Sequence, residues 1–508
     1  MLGPSPGRGA ARLKFLVDTN ILIAIEPVQT ELEPTARVAA DFVGMARTAG
    51  HNVVRHEAQE ADRARDRDVD RSRAREVLFN KYPRLGAVRA LPDVEAELGS
   101  PGPGSNDWVD NQLLVAVKAG AVDFLVTEDQ GVHRKAARIG ISDLVFTAAD
   151  ARQMLIALLP GPPAPLPSIE WMSAAQLEDD PIFESVRADY QPGFDAWFAK
   201  CRREGRDTCV IRAPDGSYAA VTILHGEDEF LEIRAKWLKI CQFKVADPYR
   251  GRRYGELLLK AVFDYRLRHS FDSAYVTVFE KYDALTRLLK MYGFDALDPR
   301  TRRGELIVSK SFRPEEAEAT AIDPLTYHVR YGPPALKLDP EQTFAIPIRP
   351  EYHRLLFPEA EWQVRGPQLS FELAEPNVDH PFGNAIRKAY LCHSPSNQLV
   401  AGSTIVFYRS QDLQALTVVG VVEQAARLGN ADEITRLVGN RTVYSLKQIE
   451  EMAAQGPVLV ILFRQDRVLP EPITLAECTQ RQLLSSWPMS ITAVHRSGFE
   501  WLSSKIAG

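Results

Sequence analysis

The chain has 508 residues, of which 45% are hydrophobic and 25% are charged, and its formal net charge at pH 7 is −6. This composition is typical of a soluble globular protein of roughly three domains, and the lack of a membrane-length apolar stretch or signal peptide predicts a cytoplasmic protein without a membrane partner. The mild net charge excludes RNA binding through the global electrostatic field, so any RNA contact must come from local basic patches.

The first predicted element is an apolar strand, 15–17, which ends at Asp18. A second strand-like run, 124–127, leads to Asp129. Open α/β sheets bind ligands at the C-terminal ends of their parallel strands, so these carboxylates are expected to converge. A cluster of hard oxygen ligands would hold Mg²⁺ or Mn²⁺ and support phosphoryl chemistry. Asp107 and Asp110 precede the helix-like run 111–117 and are equally explained as helix N-caps. The candidate metal ligands are Asp18, Asp107, Asp110 and Asp129.

These segments resemble a PIN-type nuclease domain over about residues 13–150. The motifs that carry the resemblance are Leu16-Val17-Asp18-Thr19-Asn20, Val109-Asp110-Asn111-Gln112-Leu113-Leu114 and Leu125-Val126-Thr127-Glu128-Asp129. The resemblance implies an α/β fold with a parallel sheet and metal-dependent cleavage of RNA. The remaining acidic motif should follow the predicted strand 52–56, where Asp62 has the right offset and Glu57 and Glu60 compete with it. The implied catalytic residues are Asp18, Asp62, Asp110 and Asp129.

Proline and charge patterns predict the domain boundaries. Residues 1–11 are predicted to be disordered, the proline-rich run 160–167 to be a stiff linker, and 313–325 to be an acidic linker. The acidic and basic residues of 62–75 alternate, which favours a solvated helix with surface ion pairs over an RNA-binding track. The predicted domains are 12–159, 168–312 and 326–508.

The middle domain contains a strand, an Arg/Gly-rich turn and a helix in succession. The strand is predicted at 237–245 and the amphipathic helix at 256–263. Such a turn binds a pyrophosphate, because backbone N–H groups and the helix dipole face the anion while glycine permits close approach.

This pattern resembles a GNAT-type N-acetyltransferase over about residues 168–312, which implies an α+β fold that binds acetyl-CoA. The motifs are Arg250-Gly251-Arg252-Arg253-Tyr254-Gly255 and Leu288-Leu289-Lys290-Met291-Tyr292-Gly293-Phe294. Two departures favour a non-catalytic alternative. Arg253 stands where the family has a small residue, and Leu289 stands where it often has a tyrosine that acts as the general acid. Possible general bases are Glu229, Glu232 and Glu280. The implied cofactor-binding residues are Arg250, Gly251, Arg252, Arg253, Tyr254, Gly255 and the backbone of Val245, with Ala246 as an alternative to Val245.

The C-terminal domain is predicted to be a small β-barrel with strands near 399–410, 416–423, 458–464 and 488–491. It resembles an ASCH-type, PUA-like barrel over about residues 326–508. The motifs are Phe407-Tyr408-Arg409-Ser410, Val419-Gly420-Val421-Val422-Glu423 and Arg441-Thr442-Val443-Tyr444. This resemblance implies RNA binding, with Lys388, Arg409 and Arg441 in the cleft, whereas composition alone favours ordinary strand-end charge.

Three such domains together predict an RNA-targeting enzyme that acts on structured RNA as a stress, toxin or defence factor. The first domain would cut the RNA, and the middle domain would acetylate RNA, an aminoacyl group or a protein, or sense acetyl-CoA. One alternative makes the N-acetyltransferase primary and the first domain a recognition module. Another is a non-enzymatic RNA-binding regulator. The sequence leaves open the RNA, the acetyl acceptor and the oligomeric state.

Overall fold

The computed structural model describes residues 12–25, 34–64, 76, 78–159, 167, 169–298, 300–360 and 380–507. The chain forms two units. Unit 1 comprises Met1–Gly161 and Leu428–Pro457, and unit 2 comprises Pro162–Arg427 and Val458–Gly508. The segment 1–11 and most of both 62–75 and 160–167 lie outside the described residues. Within the described ranges, no helix is long and apolar enough to cross a membrane.

Unit 1 contains a five-stranded sheet in the order β3-β2-β1-β4-β5, in which every neighbouring pair is parallel. Its central strand is fully buried at Phe15, Leu16 and Val17, as expected when both faces of a parallel sheet are covered. The strands are β1 (Lys14–Val17), β2 (Asn52–His56), β3 (Arg84–Leu85), β4 (Phe124–Val126) and β5 (Val145–Phe146). The predicted strands at 15–17, 52–56 and 124–127 are therefore present.

Polar caps fix where the helices of unit 1 begin. Ser105 Oγ accepts a hydrogen bond from the backbone N–H of Trp108 (3.2 Å) and caps the helix Asn106–Lys118. Asp110 therefore lies in the second turn of this helix, and its prediction as a helix start or N-cap is wrong. The helices of unit 1 are Thr19–Ala24, Pro34–Thr48, Glu60–Ala64, Pro92–Leu98, Asn106–Lys118, Gln130–Arg138, Ala148–Leu158, Ala431–Val438 and Leu446–Gln455.

The segment Leu428–Pro457 belongs to unit 1 although it lies in the predicted C-terminal domain. Arg436 Nη2 donates to the backbone oxygen of Val117 (2.8 Å), in the last turn of the helix Asn106–Lys118. Arg441 forms an ion pair with Asp143. A guanidinium at a helix C-terminus adds a hydrogen bond to a carbonyl group of the last turn, which has no i+4 partner within the helix. This segment thus completes unit 1 from a distant part of the chain.

Unit 2 begins with a seven-stranded sheet in the order β11-β12-β10-β9-β8-β7-β6. The pair formed by β9 and β10 is parallel, and its neighbouring pairs are antiparallel. The strands are β6 (Ile169–Ser173), β7 (Asp207–Arg212), β8 (Tyr218–Phe230), β9 (Ile233–Val245), β10 (Ser273–Val278), β11 (Asp295–Leu297) and β12 (Leu306–Ser311).

Helices cover both faces of this sheet. Val221 and Ile223 pack with Phe198, whereas Ala220 packs with Leu257 and Leu258, because successive residues of a strand point to opposite faces. The predicted linker 313–325 contains a helix. The helices here are Glu184–Asp189, Phe194–Arg203, Tyr254–His269, Asp283–Met291, Glu316–Ala321 and Pro324–Tyr331.

The second sheet of unit 2 has six strands in the order β14-β17-β16-β15-β13-β18. It contains no strand at the predicted position 488–491; only the short strand 492–493 forms there. The strands are β13 (Thr343–Ile348), β14 (Arg387–Cys392), β15 (Thr404–Arg409), β16 (Ala415–Leu428), β17 (Val458–Thr474) and β18 (Thr492–Ala493). The helices are Pro350–Leu356, Pro381–Asn384, Leu475–Gln480 and Arg496–Ala507.

Candidate functional site

β9 and β10 of unit 2 pair only at the start of β10. The paired residues are Ser273 with Trp237, Ala274 with Leu238 and Tyr275 with Lys239. Beyond them β9 continues to Val245 and β10 to Val278, and the described residues form no further pair between the two strands. The strands therefore open a split whose edges are residues 240–245 and 276–278.

The backbone N–H of Val245 points towards this split. The neighbouring Ala246 N–H donates to the backbone oxygen of Ala219 (2.9 Å), on the β8 side. Successive residues of an antiparallel pair alternate in the direction of their N–H groups, so the N–H of Val245 faces away from β8 and towards β10. Of the two predicted donors, Val245 is thus the one directed at a carbonyl lying in the split.

The Arg/Gly-rich turn joins the end of β9 to the helix Tyr254–His269. Gly251 and Arg253 adopt left-handed conformations, with φ of 82° and 59°. Turns of this kind direct backbone N–H groups into a common concavity that suits an anion. Gly255 packs so tightly that a Cβ there would lie 3.1 Å from Leu288 Cδ2.

Three guanidinium groups surround this turn. Arg250 pairs with Asp247 (2.7 Å), Arg252 lies 5.7 Å from the ring centre of Tyr249, and Arg253 Nη1 lies 3.5 Å from Glu256. Their charge and the turn's backbone geometry form the chemical environment that a pyrophosphate requires.

Residues outside the sequence motif support this turn. Asn384 Nδ2 donates to the backbone oxygen of Arg252 (3.3 Å), and the backbone N–H of Ile386 donates to Glu256 (2.8 Å). The ring of Phe382 lies 6.0 Å from the Arg253 guanidinium. Sequence reasoning missed these three residues, because no local pattern links them to a turn about 130 positions earlier in the chain.

Tyr292 lies in the core rather than in the split. Its hydroxyl donates to Glu256, and burial together with the Glu256 charge raises its pKa well above the usual value. Leu289, at the place where the family often has a tyrosine, is also buried. The Tyr292 hydroxyl is therefore not placed to protonate a leaving thiolate, and Leu289 has no acidic proton to supply.

A pocket of about 370 Å³ lies at the open end of the split and is lined by Asp189, Phe279, Glu280, Lys281, Arg300 and Gly304. Phe279 and Glu280 directly follow β10. The Arg300 guanidinium holds the pKa of Glu280 below its usual value. Of the three bases suggested by the sequence, Glu229 and Glu232 lie at the far end of β9, at its hairpin with β8, so only Glu280 belongs to the pocket.

Unit 1 has an acidic centre at the C-terminal ends of its strands. Asp18 accepts hydrogen bonds from Thr127 Oγ1 (2.5 Å), Asn20 Nδ2 (2.8 Å) and the backbone N–H of Thr19 (2.6 Å). Burial, reinforced by the charges of Asp110 and Asp62, raises the pKa of Asp18 to about 7. The charges of Asp62 and Asp110 thus both act on the Asp18 carboxylate.

Of the three candidate carboxylates that follow the strand 52–56, Asp62 is the one bonded beside Asp18. Thr19 Oγ1, next to Asp18, donates to Asp62 (2.7 Å). The alternatives Glu57 and Glu60 instead lie near Arg84, at 3.7 and 3.3 Å.

Lys135 contributes a cation to this acidic centre. Its Nζ lies 2.8 Å from both Asp107 and Asp110. Asp129 accepts from the backbone N–H groups of Gly131 and Val132 and so caps the helix Gln130–Arg138. Among the described residues, no three or more His, Cys, Asp or Glu side chains are grouped to hold a metal ion as they stand.

The three predicted RNA-binding side chains lie in the interior. Lys388 has no exposed surface and donates to the backbone oxygens of Leu356 (2.6 Å) and Gly383 (2.5 Å). Arg409 is 3% exposed and binds Asp412 through two hydrogen bonds (2.9 and 2.6 Å). Arg441 is 5% exposed and belongs to unit 1, whereas the other two belong to unit 2. They do not form one exposed basic surface.

Comparison with known proteins places a family likeness in the middle of the chain. Residues 171–294 match the model of the Acetyltransferase (GNAT) family. No curated protein matches the chain.

Several solved structures are similar to parts of the chain. ASCH from Zymomonas mobilis has 14% identity and a TM-score of 0.24 and covers 32% of this chain and 95% of its own. A GNAT family acetyltransferase from Elizabethkingia anophelis with acetyl-CoA bound has 12% identity and a TM-score of 0.22, covering 28% and 97%. A putative acyl-CoA N-acyltransferase from Klebsiella pneumoniae has 15% identity and a TM-score of 0.22, covering 28% and 97%.

The chain therefore contains an acetyltransferase (GNAT) domain, as the Arg/Gly-rich turn predicted. The nuclease and RNA-binding assignments of the flanking segments stay predictions.

Proposed function

We propose that unit 2 is an acetyl-CoA-dependent N-acetyltransferase. The observation that carries the proposal is the open split between β9 and β10, which leads directly into the turn formed by residues 250–255 within the matched segment. The pyrophosphate would bind the N–H groups and guanidiniums of this turn, and the N–H of Val245 would polarise the thioester carbonyl.

Calorimetry with acetyl-CoA on the full chain tests this proposal. Gly255→Asp adds bulk and negative charge at the turn and should abolish binding. The matched control is Gly429→Asp, because a Cβ added at Gly429 would meet no atom within 4 Å. Because Gly255→Asp also crowds Leu288, the exposed Arg250→Glu serves as a second variant that should weaken binding without disturbing the core. No heat with the folded wild type at millimolar acetyl-CoA would overturn the proposal.

A second candidate function, metal-dependent cleavage of RNA by unit 1, rests on carboxylates at the C-terminal edge of its parallel sheet: Asp18 directly follows β1, and Asp62 accepts a hydrogen bond from the neighbouring Thr19 (2.7 Å). The charge of Asp110 also acts on Asp18. These carboxylates and Asp129 supply the hard oxygens that Mg²⁺ and Mn²⁺ prefer. Since they are not grouped to hold a metal ion as they stand, the proposal requires that the ion draw them together when it binds. The metal would supply an activated water and neutralise charge on the phosphate.

The nuclease candidate is tested by cleavage of RNA with Mg²⁺, with Mn²⁺ and with EDTA. Asp18→Asn should lower the rate by orders of magnitude, whereas Asp41→Asn, at a surface carboxylate paired with Arg152, should not change it. Equal cleavage by wild type and Asp18→Asn would show that any nuclease activity belongs to a contaminant or to another site.

A further inference from the structure

We propose that the acetyl acceptor is a small zwitterion bearing an α-ammonium and a carboxylate, either a free amino acid or a short peptide, which binds the pocket at the open end of the split. This inference rests on the proposed acetyltransferase function and names the substrate class of that site.

The position of the pocket gives an amine access to the split. Its wall helix Glu184–Asp189 is joined to the open half of β9 by a hydrogen bond from Lys244 Nζ to Ser185 Oγ (2.9 Å). The same helix ends at Asp189, which lines the pocket together with Phe279 and Glu280 from beyond β10. The pocket therefore adjoins both edges of the split, so an amine bound there lies next to a thioester held between them.

The charges of the lining residues select a ligand that carries both signs. Asp189 pairs with Lys281 and accepts a hydrogen bond from the hydroxyl of Tyr282, and Glu280 pairs with Arg300. Two carboxylates facing two cations leave the lining without net charge, which does not attract a polyanion such as RNA or a polycation such as a polyamine. A zwitterion instead replaces both halves of an ion pair at once.

The size and wall of the pocket agree with a small ligand. A volume of about 370 Å³ is at the lower end of the range for small-molecule sites. The ring of Phe279, which lies 5.1 Å from the ring of Tyr190, supplies an apolar wall for a side chain. The Glu280 carboxylate, whose pKa is lowered by Arg300, is ionised at neutral pH and so attracts an ammonium.

The reaction conserves atoms and charge. The α-ammonium loses one proton to water or a carboxylate, and the neutral nitrogen attacks the thioester carbon. The carbon–sulfur bond breaks as the amide bond forms, and the thiolate takes up the second proton that the nitrogen releases. The products are the N-acetyl compound, coenzyme A and one proton.

A matched set of acceptors tests the proposal with the full chain and acetyl-CoA, with free thiol and acetylated product as readouts. The set contains the twenty amino acids, the corresponding dipeptides of alanine, and amines that lack the carboxylate, such as phenethylamine for phenylalanine. We expect acetylation of an amino acid or dipeptide, and at least a tenfold lower kcat/KM for the amine without the carboxylate. Comparing amino acids with dipeptides distinguishes the two sources.

Two pocket variants provide an independent readout. Arg300→Gln and Glu280→Gln should each raise the acceptor KM about tenfold or more while the Kd for acetyl-CoA stays unchanged. Arg268→Gln is the matched control, because the Arg268–Asp264 pair is 52% and 62% exposed, close to the 48% and 65% of Arg300–Glu280.

The possible failures can be told apart. Preferential acetylation of a polyamine, a protein lysine or RNA, or unchanged acceptor kinetics in both pocket variants, would overturn this inference while leaving the acetyltransferase in place. Acetyl-CoA binding without transfer to any member of the set would also overturn it. A folded protein that does not bind acetyl-CoA would overturn both proposals.

Discussion

At the scale of single residues, Asp18 makes the stability of unit 1 depend on pH. Burial and the charges of Asp110 and Asp62 raise its pKa from 3.8 to about 7. Between these two values the unfolded chain has released the proton while the folded chain retains it. The free energy of unfolding therefore falls as pH rises from about 4 to about 7, by up to about 4 kcal/mol.

Asp18→Asn removes this titrating group. The free energy of unfolding of the variant minus that of wild type, measured in EDTA, should rise by ~2–4 kcal/mol from about pH 4 to about pH 8. The reason is that only wild type loses stability through the titration of Asp18. The measurement is urea unfolding followed by ¹⁹F NMR of 5-fluorotryptophan at Trp108, which reports on unit 1. Asp41→Asn should keep the pH dependence of wild type. If Asp18→Asn kept it as well, the assigned role of Asp18 would be contradicted.

The hydrogen bond from Tyr292 to Glu256 stabilises the start of the helix that follows the Arg/Gly-rich turn. Tyr292→Phe removes the donor from a buried carboxylate and should lower the free energy of unfolding of unit 2 by about 1–3 kcal/mol. The control is Tyr331→Phe, whose hydroxyl bonds the more exposed Glu318 (2.6 Å) and whose loss should cost less than about 1 kcal/mol. Equal urea midpoints for the two variants would show that the Glu256 contact is not special.

The sequence predicts residues well where their chemistry is local. The spacing of Gly251 and Gly255 and the arginines between them identifies the turn, because the backbone conformation depends on neighbours in the chain. The burial of Lys388 is set by the carbonyl groups of Leu356 and Gly383, and a charge pattern contains no information about them. The sequence therefore identified the turn, whose binding of acetyl-CoA stays a prediction, but it did not show that Lys388 lies in the interior.

At the scale of elements, the segment Leu428–Pro457 makes polar contacts with the rest of unit 1 that can be tested singly. Arg441→Met breaks the ion pair with Asp143 and should destabilise unit 1 by about 1–3 kcal/mol, because the guanidinium is almost fully buried. Lys447→Met, in the exposed pair with Glu451, is the control and should change stability by less than about 0.5 kcal/mol. A loss of RNA affinity without loss of stability in Arg441→Met would instead support the cleft predicted from the sequence.

The length of an apolar run did not decide which predicted elements are present, since the three-residue run 15–17 lies in a strand. The strand and helix on either side of the Arg/Gly-rich turn are present, whereas the four-residue run 488–491 is not a strand. Ser490 Oγ there hydrogen-bonds Ser394 Oγ (2.7 Å), a contact in a loop that competes with strand pairing. The start of the helix Asn106–Lys118 was misplaced because Ser105, which caps as well as an aspartate does, comes before either aspartate and accepts the hydrogen bond from the Trp108 N–H.

At the scale of the whole molecule, the chain enters unit 1 twice. Replacing 428–457 by a short Gly/Ser turn between β16 and β17, which are neighbours in one sheet, should leave acetyl-CoA binding by unit 2 unchanged. In unit 1 it should speed amide hydrogen exchange at 106–118 and 142–146, because these residues lose their partners Arg436 and Arg441. Exchange rates equal to those of wild type would contradict a structural role for the segment.

Domain order read from the sequence assumed that each domain is one continuous stretch. Composition and proline-rich runs indicate where linkers lie. They cannot show that the connection between β16 and β17 contributes helices to unit 1. The segment 428–457 has the caps and amphipathic pattern of ordinary helices, and only the contacts of Arg436 and Arg441 identify the unit to which it belongs.

Because two separate segments of the chain form unit 1, its parts are synthesised at different times. Ribosomes add roughly 5–20 residues per second, and ~270 residues separate Gly161 from Leu428, so the last part of unit 1 emerges about 13–53 s after the first. During this interval the nascent first segment lacks its final helices, while the seven-stranded sheet of unit 2 is already being translated. If unit 1 cuts RNA, most of the chain would therefore be translated before a complete nuclease exists beside the transcript that encodes it.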